Sequence, residues 1–543
     1  MPNAALEPAA RPAAGPASWD LAVIGAGPAG MTAAVAAADA GCRAVVLDLG
    51  ERPGGQYWRW GPATGDGRYH HGWPAFAALL GRFAAHQAAG RIGYRPGHAV
   101  FHLEPLGDGG AGSGAGGADA GGAGGGGAGG ARFRVHAVAD DRRRDYAAVE
   151  AAAVVVATGA YDRQLPVPGW TLPGVMAAGA AQSLLKGSAV VAGRRVVVAG
   201  AGPFLLPVAA GLARAGARVV AVIEAGQPLD YLRRPADLAA SWRKLPEAGG
   251  YLAELARHRV PVLRRHAVIA AHGGERLRSV TVARIDAAWA VVPGSERTLD
   301  ADVLAAGYGF IPQVELLGEA GARLAAGSGP GAFVALAGAD QQTTVPGLFA
   351  AGETTGVGGA DLARIEGAAA GRAAARYAGH HVPPAGRGTR RARAALTRFA
   401  GVMDSVHAVQ PGWTRWPAEE TVICRCEEVT LGELRAAIGL GADDARSARL
   451  LARPGMGWCQ GRMCGHAVSA IIAAEGGRGG PGQGGPAGPG PGDPGLVGPE
   501  TFASRPLAQP VPLRVLAALA KDGAIEDSTV QDSAHLDSAD VPE

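Results

Sequence analysis

Apolar positions in this chain fall into short runs that end in glycine turns and are followed by longer Ala-rich stretches. "DLAVIGAG" is such a run; "PAGMTAAVAAADAG" has the length and composition of a helix closed by Gly41; "RAVVLD" is the next short run. Apolar runs of strand length bounded by turn residues predict buried strands, and their alternation with helices predicts parallel strands joined by crossover helices. The unit recurs much later as "RRVVVAGAG", then "PFLLPVAAGLARAG" closed by Gly216, then "RVVAVIE". Two such units predict an α/β fold with two Rossmann-like subdomains of doubly wound type.

Between and beyond these units the pattern lapses. Residues 107–131 are almost all Gly and Ala, and residues 476–500 are rich in Gly and Pro. Neither can bury enough apolar surface to offset its ordering entropy. The first lies between the strand-like "HAVFHLEPL" and "ARFRVHAV", so it reads as an overgrown hairpin loop. The second separates a cysteine-rich segment from a short tail. Residues 1–18 and the acidic stretch 522–543 read as disordered ends.

Length, charge and targeting signals narrow the class. A chain of 543 residues is too long for one core and implies two to four domains. The formal charge of +3 is spread widely, and no Lys/Arg run suits a nucleic-acid groove; "RRR" at 142–144 reads as a solvated hairpin edge. The first 18 residues contain Glu7 and no apolar signal core, and no stretch reads as a transmembrane segment, so a soluble, cytoplasmic protein is expected.

The first unit carries the glycine spacing of a dinucleotide site, "GAGPAG". Gly25 makes the turn out of the strand, Gly27 leaves room for a pyrophosphate, and Gly30 lets the helix pack close to the strand. Pro28 and Ala29 open the helix whose free amides and positive dipole end would face the phosphates. Asp48 stands 23 residues beyond Gly25 at the end of the second strand, where a carboxylate can hold a ribose hydroxyl.

The second unit keeps Gly200 and Gly202 but has Leu205 where the third glycine belongs. Glu224 ends its second strand and favours a free 2′-hydroxyl, hence NAD or another adenosine nucleotide; Arg233 and Arg234 argue the other way. Two readings stay open: an occupied site, or a retained fold with a closed one.

Of the five cysteines, Cys42 stands alone and reads as a small buried residue. Cys424, Cys426, Cys459 and Cys464 are spaced C-x-C-x32-C-x4-C. Four thiolates suit a 2Fe-2S cluster or a structural zinc, and a C-x-C pair cannot easily wrap one tetrahedral ion.

Resemblance adds specificity. "RPGGQYWR" (52–59, with Gly55 and Gln56), "VVVATGAYDR" (154–163, with Thr158 and Gly159) and "TTVPGLFAAGETTGVGGADLARIEGAAAG" (343–371, with Gly352 and Glu353) resemble the FAD-contacting segments of flavoproteins similar to thioredoxin reductase. Glu353 takes a position that more often holds Asp. The redox cysteine pair of the disulfide reductases is missing from its usual places. "ADVLAAGYGFIPQVEL" (301–316) resembles the return to the FAD domain.

"VICRCEEVTLGELRAAIGLGADDARSARLLARPGMGWCQGRMCGHAVSAII" (422–472) resembles the helical 2Fe-2S domain related to bacterioferritin-associated ferredoxin. Its C-x4-C spacing matches the version fused to flavoproteins, whereas the compact carriers close with C-x2-C. The joined segments, residues 19–475, resemble the FAD/2Fe-2S subunits of heteromeric bacterial amine and amino-acid dehydrogenases. "RPLAQPVPLRVLAALA" (505–520) resembles that group's tail, which docks on the body.

The resemblance implies two subdomains of the pyridine-nucleotide-disulfide-reductase type plus a small helical 2Fe-2S domain. The FAD domain would span 19–165 and 311–385, the second Rossmann-like domain 166–310, and the 2Fe-2S domain 386–475, followed by the 476–500 linker and the 501–543 tail. It also implies FAD and a 2Fe-2S cluster as cofactors. A glycine/D-amino-acid-oxidase-like flavoprotein subunit would oxidise a C–N bond of an amino acid, imino acid or opine. A stand-alone NAD(P)H-dependent reductase is the alternative, and a non-catalytic docking partner a third. His70, His71, Trp58, Trp60, Arg364 and Glu366 are expected near the flavin without an assigned catalytic role; a loop histidine pair packed with Trp73 is the simpler reading of the first two.

Overall fold

The computed structural model describes residues 19–106, 133–139, 145–227, 231, 245–327, 331–475, 505 and 507–521. The two low-complexity segments, "RRR" at 142–144, Arg233, Arg234, the first 18 residues and the acidic end lie outside the described residues. Among the described residues, no helix is long and apolar enough to cross a membrane.

The first sheet is built on β1 (Trp19–Ile24), with β2 (Ala44–Leu47) and β3 (Ile92–Arg95) on one side. On the other side follow β6 (Tyr146–Val156), β5 (Phe133–Ala139) and β4 (His98–Pro105), and β19 (Leu348–Ala350) also pairs with β6. β1, β2, β3, β6 and β19 run parallel, so their apolar runs are buried on both faces, as such sheets require. β4 and β5 pair antiparallel, as the two strand-like runs flanking the Gly/Ala segment predict.

Helix α1 (Pro28–Asp39) is rich in small residues and packs against both this sheet and the long helix α7 (Gly359–Tyr377). A Cβ on Gly367 or Gly371 would stand 2.1 Å from the carbonyl oxygen of Ala29 or Ala33, respectively, so the two backbones touch with no side chain between them. The abundance of small residues is therefore structural here: it brings α7 down onto the helix that opens the first glycine turn.

The second sheet is parallel, in the order β11 (Val262–Arg264), β10 (Arg218–Glu224), β9 (Arg195–Gly200), β15 (Val303–Gly307), β8 (Val175–Ala177). Helices α3 (Ala178–Ser188), α4 (Leu205–Arg214) and α5 (Leu245–Arg257) accompany it, as α2 (Trp73–Ala88) does the first. An antiparallel meander of β12 (His266–Gly273), β13 (Leu277–Arg284) and β14 (Arg297–Asp300) covers part of the second sheet, Val280 and Val282 sharing a core with Val197 and Ile223. The short strand β16 (Phe310–Pro312) then pairs antiparallel with β7 (Ala160–Asp162), rejoining the first domain. Helix α6 (Glu315–Glu319) and the hairpin of β17 (Leu324–Ala326) with β18 (Phe333–Ala335) follow.

Helix α8 (Arg387–Val406) leads to the cysteine-rich domain. This is made of a hairpin, β20 (Val422–Cys424) with β21 (Val429–Thr430), and helices α9 (Leu431–Gly439), α10 (Ala445–Ala452) and α11 (Gly465–Ala474). Reciprocal capping boxes, Thr430 with Glu433 and Asp444 with Ser447, start α9 and α10. The core of this domain is continuous with the second Rossmann-like unit: Ile423, Leu431 and Val468 share one apolar cluster with Ala201, Ala225, Trp289 and Tyr308. The last described helix is α12 (Leu513–Lys521), and its Val515 packs with Phe101 and Val138.

Candidate functional site

The first glycine turn has the geometry its spacing predicts. Gly25 adopts φ +99, where an added Cβ would lie 2.5 Å from the Ala157 oxygen. A Cβ on Gly30 would lie 1.8 Å from the Gly25 oxygen, so only glycine allows this helix–strand approach. Gly27 differs: its backbone is extended (φ −74, ψ −173), and a Cβ there would meet nothing nearer than the Gly55 Cα at 4.0 Å. Neither strain nor packing demands glycine at 27, so the open space beside it is what it protects. Pro28 and Ala29 begin α1 directly after it, aiming the first free amides at that space.

Asp48 accepts a hydrogen bond from the Ala26 amide at 3.1 Å. Burial raises its pKa, opposed by the Ala26 and Gly50 amides. Gly54 donates to the Ala26 oxygen at 2.8 Å, which seats the loop of Gly55 and Gln56 over the turn. Gln56 Oε1 accepts from Arg59 Nε at 3.0 Å and from Ser183 Oγ at 3.2 Å, linking this loop to the second domain. Lys186, which no motif in the sequence singles out, is buried there and donates to the Tyr57 oxygen at 2.9 Å. Burial brings its pKa down to about 8.

Thr158 and Gly159 follow β6. Thr158 Oγ1 donates to the Gln313 oxygen at 2.9 Å, and Gly159 holds φ +83 with open space where a Cβ would be. Gly352, at φ +78, donates its amide to Glu366 Oε2 at 3.1 Å. Glu353 Oε1 accepts from the Gly359 amide at 2.9 Å, at the start of α7. Glu366 pairs with Arg393 at 3.4 Å rather than with Arg364, a partner from α8 that sequence distance concealed. Arg364 lies over the Trp58 ring at 6.0 Å, and its Nε is buried without a hydrogen-bond partner. The open sides of Gly27 and Gly159 and the orphaned Arg364 Nε fit a bound dinucleotide: Gly27 to Gly30 for the pyrophosphate, Asp48 for a ribose.

Glu353 is pushed up to about 7, first by burial, while the Gly359 and Gly358 amides pull the other way. The folded chain therefore keeps this proton where the unfolded chain, near 4.5, has lost it. Stability of the FAD-free chain should fall as pH rises from about 4.5 to about 7 and level off above that. Urea midpoints across this range should show the decline in the wild type and a flatter profile in Glu353→Gln.

The flanking aromatics have packing roles. His70 lies against Trp73 at 4.8 Å, and its Nε2 is 2.5 Å from the Arg59 oxygen; burial lowers its pKa. His71 is 3.6 Å from Glu247. Trp58 is buried on Phe76, and Trp60 donates to the Pro53 oxygen at 2.9 Å. Cys42 is buried, and desolvation pushes its thiol up to about 12, which fits a packed residue rather than a nucleophile.

At the second turn, Leu205 changes the geometry. Helix α4 begins at Leu205 itself, three residues after Gly202, whereas α1 begins one residue after Gly27. Glu224 receives the Gly202 amide at 3.2 Å and the Gly226 amide at 2.8 Å. His407 Nδ1 lies 3.5 Å from Glu224 Oε1, and its Nε2 is 3.0 Å from the Tyr231 hydroxyl. Ala201 and Ala225, on either side of the turn, are buried in the shared cluster that includes Trp289, Trp413 and Trp416. The sequence singles out Gly202 and Glu224 but not His407, which lies against Glu224, while a Cβ on Gly202 would meet nothing within 4 Å.

The four clustered thiols come together as two pairs. Cys426 Sγ is 3.3 Å from Cys459 Sγ, and Cys464 hydrogen-bonds Cys424. That bond, with the Gly455, Glu427 and Cys426 amides, holds Cys424 down to about 6. The Gly455 amide approaches Cys424 Sγ at 3.3 Å. Two thiol pairs and an amide aimed at sulfur fit a 2Fe-2S cluster, each iron taking two cysteines. Cys424 and Cys464 are buried, whereas Cys426 is exposed, so one edge of the site faces outward.

Comparisons with known proteins agree with this layout. Residues 127–375 match the pyridine nucleotide-disulphide oxidoreductase family, residues 23–87 an NAD(P)-binding Rossmann-like domain, and residues 422–474 the BFD-like [2Fe-2S] binding domain. The chain is 33% identical over 473 residues to an opine oxidase subunit of Agrobacterium tumefaciens (strain Ach5), covering 84% of this chain and 86% of that protein. It is 30% identical to hydrogen cyanide synthase subunit HcnB of Pseudomonas protegens, covering 84% and 92%. L-proline dehydrogenase from P. horikoshii shares the fold (TM-score 0.56, 18% identity, 84% of this chain and 74% of that chain).

Proposed function

We propose, from the premise that this chain belongs to the family of these opine oxidase and hydrogen cyanide synthase subunits, that it relays electrons within a heteromeric dehydrogenase. The chain is an FAD-dependent oxidoreductase with a 2Fe-2S domain. FAD would be held by Gly25, Gly27, Pro28, Ala29, Gly30 and Asp48, with Gly55, Gln56, Thr158, Gly159, Gly352 and Glu353 around the rest of the cofactor. Cys424, Cys426, Cys459 and Cys464 would hold the cluster.

A C–N bond of an amino acid, imino acid or opine loses two electrons and two protons in becoming an imine. A flavin takes up such a pair, and an iron–sulfur cluster passes electrons singly, so joining them converts one two-electron event into two one-electron exits. A partner protein resembling glycine and D-amino-acid oxidases would carry the oxidation itself.

The observation that carries this reading is the altered second nucleotide turn, where the helix starts only at Leu205 and His407 lies against Glu224. A reductase fed by NAD(P)H needs the acid that ends this strand free to hold the nucleotide's ribose. Here Ala201 and Ala225 are buried in one apolar cluster with the cysteine-rich domain, and Glu224 is faced by His407. NADH mixed anaerobically with the purified chain should leave the flavin's visible absorption band unchanged over minutes. Rapid bleaching would favour the stand-alone reductase instead. Affinity purification from the native host should bring down a second flavoprotein, and the complex, not the single chain, should oxidise amino or imino acids. Oxidation of these substrates by the single chain would refute the relay role.

A further inference from the structure

We propose that Arg462 is a positioning residue that bolts the iron–sulfur domain onto the flavin domain and sets the distance of the one-electron step between them. The inference rests on the flavin-and-cluster part of the reading above, not on the identity of substrate or partner.

Arg462 lies inside "CQGRMC", the stretch joining two of the four thiols. Gln460 and Gly461 both adopt left-handed backbone, φ +51 and φ +86, which the longer C-x4-C spacing makes room for. The chain then turns so that the Arg462 side chain leaves its own domain. Its Nε donates to the Tyr161 hydroxyl at 2.7 Å and lies 3.3 Å from Glu315 Oε1; its Nη1 donates to the Cys459 oxygen at 3.1 Å. Tyr161 also donates to Glu315 Oε1 at 3.3 Å. Arg462 and Glu315 side chains are only 13% and 14% exposed, so this ion pair is shielded from water and salt.

Both ends of the bridge are placed next to redox sites. At one end it touches the backbone of a cluster thiol. At the other, Tyr161 sits on β7, three residues past Thr158, and β7 is paired to β16, which precedes Glu315. Arg505 donates to the Gln460 oxygen within this loop at 2.9 Å and to the Gly455 oxygen ahead of it at 2.8 Å. The loop between Cys459 and Cys464 is thus clamped from two sides. The added residues of the C-x4-C spacing have a use that a free carrier lacks: they reach the flavoprotein. In the step itself no bond forms or breaks; each transfer oxidises the flavin by one electron and reduces one iron.

The test uses the full chain loaded with FAD and cluster, under anaerobic flash photoreduction of the flavin, following cluster bleaching with time. Three variants are compared: Tyr161→Phe, Arg462→Lys, and Arg462→Met with Glu315→Gln, the last leaving no unpaired buried carboxylate. Flavin and iron contents and both midpoint potentials are measured in each. The double variant should transfer at least about tenfold more slowly at unchanged potentials, as expected when reacting centres are misplaced. Tyr161→Phe should be slowed less, and Arg462→Lys should recover part of the rate. Rates within about twofold of wild type in both the double variant and Tyr161→Phe would overturn the proposal, as would slowing fully accounted for by shifted potentials. Should the double variant fail to load its cluster, Tyr161→Phe alone decides. Because no amine substrate or partner is used, failure here is distinguishable from failure of the relay reading.

Discussion

A Gly27→Val chain should fold, load its cluster, and come off the column without FAD. Glycine serves a different purpose at each place in the turn. Valine at Gly25 or Gly30 would collide with backbone oxygens at 2.5 and 1.8 Å, and the fold itself would suffer. At Gly27 the backbone is extended and the nearest atom to an added Cβ is 4.0 Å away. Valine fits there in the empty protein, but its methyls enter the volume that the pyrophosphate needs next to the first amides of α1. Flavin content, read as the ratio of FAD to protein after heat release, should fall by about tenfold or more, a binding loss of at least about 1.4 kcal/mol. Circular dichroism and the cluster's absorption should stay as in the wild type. A full flavin complement in Gly27→Val would overturn the assignment of this turn to FAD.

Cys459→Ser should abolish the visible absorption and paramagnetic signal of the cluster while FAD stays bound. Serine replaces the sulfur with little change in volume, so packing is barely disturbed. Its hydroxyl is a far poorer ligand for iron, and Cys426, paired with Cys459 at 3.3 Å, loses its neighbour. Iron and acid-labile sulfide should drop together in the variant. A structural zinc would give no visible band even in the wild type, and one metal analysis of the purified chain separates the two. An unchanged spectrum in Cys459→Ser would refute the ligand set. The FAD domain should survive, because the cysteine-rich core joins that of the second Rossmann-like unit and not the packing of α1 against α7.

Together the two variants separate the halves of the relay. Gly27→Val leaves a cluster without its flavin, and Cys459→Ser a flavin without its cluster. Neither should support electron transfer from the partner to an external acceptor, although each keeps one cofactor.

The local features of this protein were legible in its sequence because local physics sets them. The turn from Gly25 to Gly30 is dictated by backbone clearances within a few residues, and strand–helix alternation by apolar runs read one after another. The cysteine spacing marks a metal site because ligand chemistry allows few alternatives. Long-range packing was not legible. Arg393 reaches Glu366 from a different helix, His407 lies against Glu224, and Arg462 meets Tyr161 from 301 positions away. Sequence could state that two nucleotide folds and a four-thiolate domain exist. Only the tertiary structure decided that His407 meets Glu224 and that Arg462 of the thiolate domain meets Glu315, because both depend on which surfaces come together.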